Sequence, residues 1–309
     1  MAENLAHTPV LFKEAIELLD LKEGLIVLDA TLGLGGHGFE IAERIKPGLL
    51  IALEKDPFTY SLVSPKIPAL SNIKLFNTGY ENLDKVMLKL GLSYIDRAFF
   101  DLGISSVSLE NRRGFSFKKD EVLDLRFNPN EGKPAYEILK ELDEREIERI
   151  LRIYGEERKS RIIAKKIHRV VKEVDVIKTT HISKVVDSVY PPPLRSKAKA
   201  RVWQALRIYV NDELENLRKG LALALKYLKV GGRLVVITFH SLEDRMVKSL
   251  RYFPFVEDIT GKPITPTREE IGENPRSRSA KMRVFIKVDE VDYHRLLRDI
   301  RFANPFKIK

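Results

Sequence analysis

The strongest constraint on how this chain can fold is the alternation, over its first hundred residues, of short apolar runs with longer helical stretches. Four of these runs, at residues 25–30, 49–54, 73–76 and 97–101, are β-branched or otherwise apolar and are typical of strands. Near-continuous apolar runs suit strands that are buried on both faces of a parallel sheet. The alternation therefore predicts an α/β fold with consecutive strand–helix–strand units.

The fifth clear strand, at residues 233–239, comes late in the chain, after a helical pattern over residues 212–227. Roughly 130 residues separate it from the fourth strand, whereas a crossover between parallel strands needs only about a dozen. The residues between them carry apolar side chains at helical spacing, for example over 147–154 and 162–171. We therefore expect a mainly helical domain inserted into the sheet domain, which a last strand at 282–288 completes.

Three consecutive prolines at residues 191–193 break the helical pattern of the insert and indicate a domain boundary near residues 195–205. The sequence thus predicts a discontinuous sheet domain at residues 1–110 and 205–309. The inserted helical domain is expected at residues 111–204.

The sharpest local motif is a glycine-rich turn, DATLGLGGHG at residues 29–38, directly after the first predicted strand and before a helix. Gly33, Gly35 and Gly38 match the G-x-G-x-x-G pattern of nucleotide-type cofactor sites, in which glycines let the backbone approach the ligand closely. Glu54 ends the second predicted strand, where a carboxylate can accept hydrogen bonds from both ribose hydroxyls. The alternative is an ordinary tight turn with a solvated Glu54.

Asp29, at the end of the first predicted strand, helps to separate the candidate cofactors. A pyrophosphate packed against the turn would be repelled by a neighbouring carboxylate, whereas a sulfonium cofactor with a cationic amino-acid tail would be attracted. This favours S-adenosylmethionine over NAD. If Asp29 instead caps the helix that follows, the choice of cofactor stays open.

The fourth predicted strand ends at Asp101, beside the crevice that an open parallel sheet forms at the carboxyl ends of its strands. A carboxylate there can orient the cofactor or accept a hydrogen bond from a nucleophilic amine. The alternative is turn chemistry, since Gly103, Ser105 and Ser106 follow it. Tyr80, just after the third strand, is a candidate for stacking on an adenine ring, with a packed core residue as the alternative.

The chain carries 54 Lys and Arg against 44 Asp and Glu, a formal charge of +10, which suits nucleic acid or an acidic membrane surface as a partner. The basic residues cluster, with few acidic neighbours, at residues 158–169, 195–201 and 276–283. These clusters are either phosphate contacts or solvated faces. Trp203 and Tyr209 flank the second cluster and either stack on a base or belong to the core.

Other chemistries find little support. The chain has no cysteine, which excludes disulfides, thiol nucleophiles and thiolate metal sites. Its six histidines are scattered and give no zinc-binding pair, so no metal is expected. No apolar run approaches the ~18 to 20 residues that span a bilayer, and the first residues lack the features of a secretory signal, so we expect a cytoplasmic protein.

Ten blocks of sequence, in one order along nearly the whole chain, resemble the MraW family of bacterial ribosomal RNA methyltransferases. They are HTPVL (7–11), GLGGH (33–37), DLGISS (101–106), RGFSF (113–117), LDLR (123–126), YGEER (154–158), QALRI (204–208), NDEL (211–214), FHSLEDR (239–245) and ENPRSRS (273–279). The resemblance implies a class I, Rossmann-like methyltransferase sheet with an inserted helical domain. It also implies methyl transfer from S-adenosylmethionine to the exocyclic N4 amine of a decoding-centre cytidine in the 16S rRNA of the small ribosomal subunit, with the insert recognising RNA.

By motif match, seven residues are implied to bind the cofactor: Gly35, Gly36, His37, Glu54, Tyr80, Asp101 and Ser108. The family usually has Asp, Phe and Gln where this chain has Glu54, Tyr80 and Ser108. Glu and Tyr preserve the chemistry, but Ser is too short to replace Gln directly. Asp101 is also the candidate catalytic residue, since the amine is expected to approach the cofactor beside it.

Methyl transfer is expected to be a direct in-line step, for which the enzyme holds the base out of its stack and polarises an amine whose lone pair is delocalised into the ring. The segment at residues 239–244 is expected to face the same crevice and to help seat the base. A Ser/His hydrolase is disfavoured, because His240 and Ser241 are adjacent and no G-x-S-x-G motif surrounds the serine. A nicotinamide-dependent oxidoreductase and a non-catalytic RNA-binding factor remain as alternatives.

Overall fold

The computed structural model describes residues 9–69 and 71–300, so His7 and Thr8 of the block at 7–11 lie outside the described residues. Within this part of the chain, seven strands form one sheet in the order β3-β2-β1-β4-β5-β7-β6. They are Ile26–Asp29 (β1), Leu49–Leu53 (β2), Ile73–Phe76 (β3), Ile95–Asp101 (β4), Leu228–Thr238 (β5), Val256–Asp258 (β6) and Lys281–Lys287 (β7). Strands β1 to β5 pair in parallel, whereas β7 runs antiparallel to β5 and β6. The predicted α/β, Rossmann-like fold class is confirmed.

The helices, like the strands, are numbered in chain order. They are Phe12–Leu18 (α1), Gly36–Arg44 (α2), Pro57–Val63 (α3), Leu83–Leu90 (α4), Ser106–Glu110 (α5), Ala135–Glu141 (α6), Glu144–Tyr154 (α7), Ser160–Glu173 (α8), Thr179–Asp187 (α9), Pro192–Asn211 (α10), Glu213–Tyr227 (α11), Ser241–Ser249 (α12), Arg268–Glu273 (α13) and Tyr293–Asp299 (α14). Short 3-10 helices lie at Ser64–Ala69, Tyr80–Asn82, Leu250–Tyr252 and Pro275–Ser279. Among the helices described, none is long and apolar enough to cross a bilayer.

The described chain divides into two compact units. The sheet unit comprises the residues up to Ser105 and those from Glu215 onward, and the helical unit comprises Ser106–Leu214. The predicted domains have other bounds, residues 1–110 with 205–309 and residues 111–204. Their roles, methyl transfer for the first and RNA recognition for the second, stay a prediction.

The centre of the sheet is formed by strands that are buried on both faces, as their near-continuous apolar runs predict. Val27 in β1, Phe99 in β4 and Ile237 in β5 are shielded from solvent and belong to one hydrophobic cluster with residues of the flanking helices. Full burial of side chains of this size contributes about 1.5–3 kcal/mol each relative to exposure. The strand ends that carry the site are therefore anchored in a well-packed core.

Two strands differ from the sequence prediction. Strand β5 begins earlier than expected, because Leu228 already pairs with Ile95 of β4 before the Gly231–Gly232 turn. Strand β6 was not predicted, since its three residues are too few to show a period.

The helical unit follows the apolar periodicity of its sequence. Helix α7 begins with a capping box, in which the Asp143 side chain accepts from the Glu146 N–H at 2.7 Å and the Glu146 side chain accepts from the Asp143 N–H at 2.9 Å. Its apolar residues Ile147, Ile150 and Leu151 are fully buried. This part of the insert is helical, as predicted.

Helix α10 departs from the prediction at the proline run. The helix starts at Pro192 and continues without a break to Asn211, so the boundary expected near residues 195–205 falls inside a helix. Proline is tolerated in the first turn, because the N–H that it lacks would have no partner within the helix there. The prolines thus lie at the start of this helix.

Candidate functional site

Three acidic side chains lie at the carboxyl ends of three neighbouring strands. Asp29 is the last residue of β1, Asp101 is the last residue of β4, and Glu54 directly follows β2. Backbone pairing aligns Asp29 with Ala52 of β2 and Phe99 of β4, so the three strands end at one edge of the sheet. The strand order reverses between β1 and β4, which is where open α/β sheets bind ligands.

The glycine-rich turn connects β1 to α2 and has the backbone conformation that its glycines predict. Gly33 and Gly35 have φ of 57° and 88°, in the left-handed region that favours glycine. A Cβ on Gly35 would lie 2.4 Å from the Phe39 ring, and one on Gly36 would lie 2.5 Å from Pro9. Neither position admits a larger residue without a shift of its neighbours, so the turn depends on glycine here.

Glu54 is held by two backbone hydrogen bonds. Its Oε2 accepts from the Gly33 N–H at 3.0 Å, and its Oε1 accepts from the Asp56 N–H at 2.8 Å. Because each carboxylate oxygen can accept more than one hydrogen bond, both oxygens keep an acceptor position. A ribose diol offers two donors to such a carboxylate. The position of Glu54 is thus the one that a ribose-binding acid requires.

Asp101 is tied to the glycine-rich turn through Thr31. The Asp101 N–H donates to Thr31 Oγ1 at 2.7 Å, which holds the end of β4 against the turn. The Asp101 side chain is 23% exposed, and a backbone hydrogen bond from Gly103 lowers the pKa of its carboxyl, while its Oδ1 is buried and has no donor among the described residues. A buried oxygen without a donor is unfavourable, so this atom suits a donor that a ligand brings. No local sequence pattern identifies Thr31, because its hydroxyl meets a strand 70 residues away.

His37 lies in the first turn of α2, next to Asp101. Its Nε2 is 3.2 Å from the Val10 carbonyl oxygen, and its Nδ1 is 3.7 Å from Asp101 Oδ2. The imidazole packs between Phe99 and Phe12, with ring centroids 4.7 Å and 5.6 Å away. The structure therefore brings His37 and Asp101 together, as the site prediction requires.

The turn at residues 9–11 contacts His37 at Nε2, the ring nitrogen that faces away from Asp101. Leu11 has a left-handed conformation with φ of 52°, and its N–H donates to Glu270 Oε1 at 2.8 Å. Glu270 lies in α13, 259 residues away in sequence, so no sequence pattern predicts this contact. Glu270 thereby fixes the turn whose Val10 carbonyl meets His37.

Burial changes the ionisation of the three strand-end acids. It raises the pKa of Asp29, Glu54 and Asp101 to about 7. At Asp101 the charge of Asp29 adds to the effect of burial, and at Glu54 the charge of Asp56 does so. A cationic ligand would favour the ionised forms, whereas a pyrophosphate would be repelled by them.

Asp29 lies beneath the turn and does not cap a helix. It is 1% exposed, and its Oδ1 accepts from the Thr31 N–H at 3.0 Å. A Cβ on Gly38 would lie 2.8 Å from Asp29 Oδ2, so this glycine makes room for the carboxylate. The N-cap of α2 is Gly35, and the capping alternative for Asp29 is therefore wrong.

Tyr80 and Ser108, the two other residues implied to bind the cofactor, have different surroundings. The Tyr80 ring is 5.4 Å from the Phe100 ring and lies against Gly220, where a Cβ would come within 2.4 Å. Ser108 is buried in α5 of the helical unit. Cofactor contact by Tyr80 and Ser108 stays a prediction. No sequence pattern identifies Gly220 as the residue that accommodates the tyrosine.

The segment after β5 is organised around Glu243. Its Oε2 accepts from the N–H groups of Phe239 and His240 at 2.9 Å and 3.2 Å, while His240 Nδ1 accepts from the Glu243 N–H at 3.3 Å. The Phe239 ring lies beside Gly103, two residues after Asp101, since a Cβ on Gly103 would be 3.0 Å from that ring. An aromatic side chain is therefore fixed near the end of β4.

Trp203 belongs to the core of the helical unit and is not available to stack on a base. It is 5% exposed, its Nε1–H donates to the Gly114 carbonyl at 2.8 Å, and its indole meets Phe117 edge-on. Stacking of Trp203 on a base is therefore wrong. Tyr209, on the same helix, is half-buried, and burial raises its pKa.

The residues at the carboxyl edge of the sheet fit S-adenosylmethionine. The positive φ angles of Gly33 and Gly35 form a turn that a ligand can approach closely. Glu54 has acceptor positions for a ribose, and the acids around the turn favour a cation over a pyrophosphate. These features favour a sulfonium cofactor over a dinucleotide.

Sequence comparisons identify the family. The model of the MraW methylase family matches residues 4–288. The ribosomal RNA small subunit methyltransferase H of Dictyoglomus thermophilum is 43% identical over 284 residues, which cover 90% of this chain and 95% of that protein. The protein of the same name from Caldicellulosiruptor saccharolyticus is 40% identical over 304 residues, which cover 91% and 99% of the two chains.

Solved structures match at much lower identity. An rRNA methylase from Streptococcus thermophilus is 13% identical with a TM-score of 0.42, over 94% of this chain and 99% of that chain. NSun6 from Pyrococcus horikoshii is 14% identical with a TM-score of 0.46, over 94% and 56% of the two chains. The sequence matches decide the assignment: this chain belongs to the MraW methylase family of S-adenosylmethionine-dependent methyltransferases.

Proposed function

We propose that this protein methylates the exocyclic N4 amine of a decoding-centre cytidine in 16S rRNA, with the small ribosomal subunit as its partner. Relatives at 40% and 43% identity are named as ribosomal RNA small subunit methyltransferases, which supports an RNA substrate. The observation that carries the choice of an amine is Asp101 Oδ1, a buried acceptor without a donor at the end of β4. S-adenosylmethionine, when bound, supplies an electrophilic methyl group for direct displacement.

Asp101 has two tasks in this proposal. Its carboxylate accepts a hydrogen bond from one N4–H, which orients the amine and reduces delocalisation of its lone pair into the ring. As N4 gains the methyl carbon, the bond of that carbon to the sulfonium sulfur would break with its electron pair staying on sulfur, which leaves as a neutral thioether. N4 becomes cationic, and one N4–H proton passes to the carboxylate, which becomes neutral. A pKa of about 7 suits both tasks, because such a group is partly ionised at neutral pH and basic enough to take the proton.

Phe239 is the residue that we assign to seating the base. A cytosine must leave its stack before N4 can react, and displaced bases commonly stack on aromatic side chains. Phe239 is held beside Gly103 through the hydrogen bond that its N–H donates to Glu243. An aromatic ring next to Asp101 thus offers both a stacking surface and a hydrogen-bond acceptor to one base.

The proposal divides the work between the two domains. The sheet domain, residues 1–110 and 205–309, holds the cofactor, and the helical domain, residues 111–204, recognises the RNA. The cofactor-binding residues in this proposal are Gly35, Gly36, His37, Glu54, Tyr80, Asp101 and Ser108. A ribosomal substrate also agrees with the expected cytoplasmic location.

Transfer of labelled methyl from S-adenosylmethionine tests the proposal. Small subunits that lack the modification, naked 16S rRNA and DNA are the acceptors, and mass spectrometry identifies the labelled nucleoside. We expect N4-methylcytidine from the small subunits and no label in DNA. Label in another nucleoside would refute the assignment to N4, and bound cofactor without any labelled RNA would refute the RNA substrate.

A further inference from the structure

One face of α8 carries four exposed basic side chains, which we call the α8 stripe: Arg161, Lys165, Arg169 and Lys172. Their spacings of four, four and three residues place them within an arc of about 80° on a helix of 3.6 residues per turn. They extend along about 16 Å of that helix. The opposite face of α8 is buried within the helical unit.

The four cations of the α8 stripe have no ion pair with any of the residues that the structure describes. The neighbouring lysines that do find partners point elsewhere, since Lys166 donates to Ser188 Oγ and Lys159 donates to the Val189 carbonyl. The stripe is therefore a line of uncompensated positive charge.

The second basic cluster of the sequence is largely neutralised within the helical unit. Lys199 lies 2.8 Å and Arg195 lies 3.6 Å from carboxylate oxygens of Asp187, and Arg201 lies 2.7 Å from Glu157. These cations serve the packing of α10 against its neighbours.

The third cluster, in the sheet unit, has two cations that are paired in the same way. Lys281 and Arg283 lie 3.2 Å and 2.8 Å from the two oxygens of Asp244, and Arg283 is buried. Three clusters of similar composition thus differ in how much of their charge is available to a partner, and the α8 stripe has the most.

The charge of the α8 stripe works against its own helix. Arg161 and Lys165 are like charges at i,i+4, as are Lys165 and Arg169, and such pairs destabilise a helix. Arg161 also lies in the first turn, where the helix dipole favours acids, and the first turn of α8 contains none. A bound polyanion would relieve both effects.

We propose that the α8 stripe binds the phosphate backbone of the substrate RNA. The inference rests on the proposed function for the identity of the partner, and it names the surface that holds it. One cation per helical turn suits a partner whose charge repeats along a chain. An anionic membrane is the weaker candidate, because a helix that lies on a membrane surface needs an exposed apolar face. The apolar face of α8 is buried, and Ile162 is the one large apolar side chain of this helix that is strongly exposed.

The test compares two triple variants that each remove three positive charges from the helical unit. The stripe variant is Arg161→Gln/Lys165→Gln/Arg169→Gln. The matched control is Lys133→Gln/Lys140→Gln/Lys178→Gln, whose lysines already have partners in Glu141, the Asp175 carbonyl and Asp120. Binding of the full chain to small subunits and to naked 16S rRNA is measured without turnover, over a series of salt concentrations.

We expect the stripe variant to bind RNA at least tenfold more weakly near physiological salt and to lose about 2 from the slope of log K against log salt. The control should lose less than about threefold, and both variants should bind S-adenosylmethionine as the wild type does. Equal losses in the two variants, or loss of binding to anionic lipid vesicles with RNA binding intact, would overturn the proposal.

Two further readouts keep the outcome unambiguous. The stripe variant should unfold at a temperature no lower than that of the wild type, because like charges have been removed. If the triple variant does not fold, the single variant Arg169→Gln replaces it, and its slope of log K against log salt should change by about 0.7–0.9. If the wild type forms N4-methylcytidine but the stripe variant keeps the wild-type salt slope, the inference about the stripe is wrong and the proposed function stands. If RNA binding depends on the stripe but the wild type forms no methylated cytidine, the stripe binds RNA and the proposed function is wrong.

Discussion

The two units of this protein use ionisable side chains in opposite ways. The sheet unit buries three acids at the ends of adjacent strands, where backbone N–H groups or Thr31 hold them in position. The helical unit exposes the four bases of the α8 stripe without acidic partners. A few buried charges at fixed positions can select one small ligand, whereas exposed charges act through number and spacing and are screened by salt. In the proposals above, the first arrangement provides chemical selectivity and the second provides capture of a polymer.

The largest effect is expected from Asp101→Asn, which keeps the shape of the side chain and removes its ability to take a proton. Single-turnover methyl transfer to small subunits should slow by about 10²- to 10⁴-fold, the range for loss of a general acid–base group. RNA binding should be unchanged. The surface acid Asp84, which pairs with Lys226 on the same unit, provides the control Asp84→Asn, with activity within about twofold of wild type. Near-normal turnover by Asp101→Asn would remove Asp101 from the mechanism.

A smaller effect is expected from Glu54→Gln. The amide oxygen could keep only one of the hydrogen bonds from Gly33 and Asp56, the NH2 would face the other N–H, and the ionised acceptor for a ribose would be lost. The Kd for S-adenosylmethionine, measured by calorimetry, should rise about 10- to 100-fold, with little change in the rate at saturating cofactor. Glu54→Asp should recover most of the affinity, since it restores the carboxylate. An unchanged Kd in Glu54→Gln would show that Glu54 does not contact the cofactor.

The pH dependence should separate the units further. Burial raises the pKa of Asp29, Glu54 and Asp101 to about 7, so these acids lose protons as pH rises from 6 to 8. Calorimetry should therefore show that affinity for the cationic cofactor rises several-fold over this range. RNA affinity measured in parallel should stay nearly constant, since Lys and Arg do not titrate in this range. A cofactor affinity that is flat between pH 6 and 8 would contradict the assigned charges.

The stability of the protein without cofactor should follow the opposite trend. The pKa values of these acids are higher in the folded state than the usual values near 4, so the folded state binds more protons than the unfolded state between about pH 4 and pH 7. Their contribution to stability is therefore present at low pH and is lost as pH rises through about 7. Thermal unfolding with and without S-adenosylmethionine should show stabilisation by the cofactor increasing over the same range.

The smallest effect is expected from Glu270→Gln, which weakens the hydrogen bond to the Leu11 N–H without removing the side chain. Cofactor affinity should fall about two- to fivefold, because the turn at residues 9–11 and His37 become less well fixed. The exposed neighbour Glu269 offers the control Glu269→Gln, with no measurable change. Equal behaviour of the two variants would show that this contact has no part in cofactor binding.

The sequence predicts the parts of the fold that depend on local pattern. Apolar runs identify the central strands, because burial on both faces requires them. The edge strand β6 is too short to be detected, and the start of α10 at Pro192 is missed because proline both ends helices and begins them.

The site divides in the same way. Asp29, Glu54 and Asp101 can be found from their positions at strand ends, since parallel strands bring those ends together. Thr31 and Glu270 contribute through contacts with residues far away in sequence, which no spacing rule reveals. Likewise, three basic clusters look alike in the sequence, and only the positions of their acidic neighbours distinguish the α8 stripe from the rest.

The place of α11 in the chain has a consequence for how such an enzyme can be built. Strands β4 and β5 are parallel neighbours, and a connection between them needs about a dozen residues. Helix α11 has 15 residues and leads directly into β5, so it is already a complete crossover. The helical unit is an addition to a finished connection rather than a part of it. Under the proposed division of work, substrate recognition can therefore be exchanged as a module during divergence, while methyl transfer by the sheet unit is inherited unchanged.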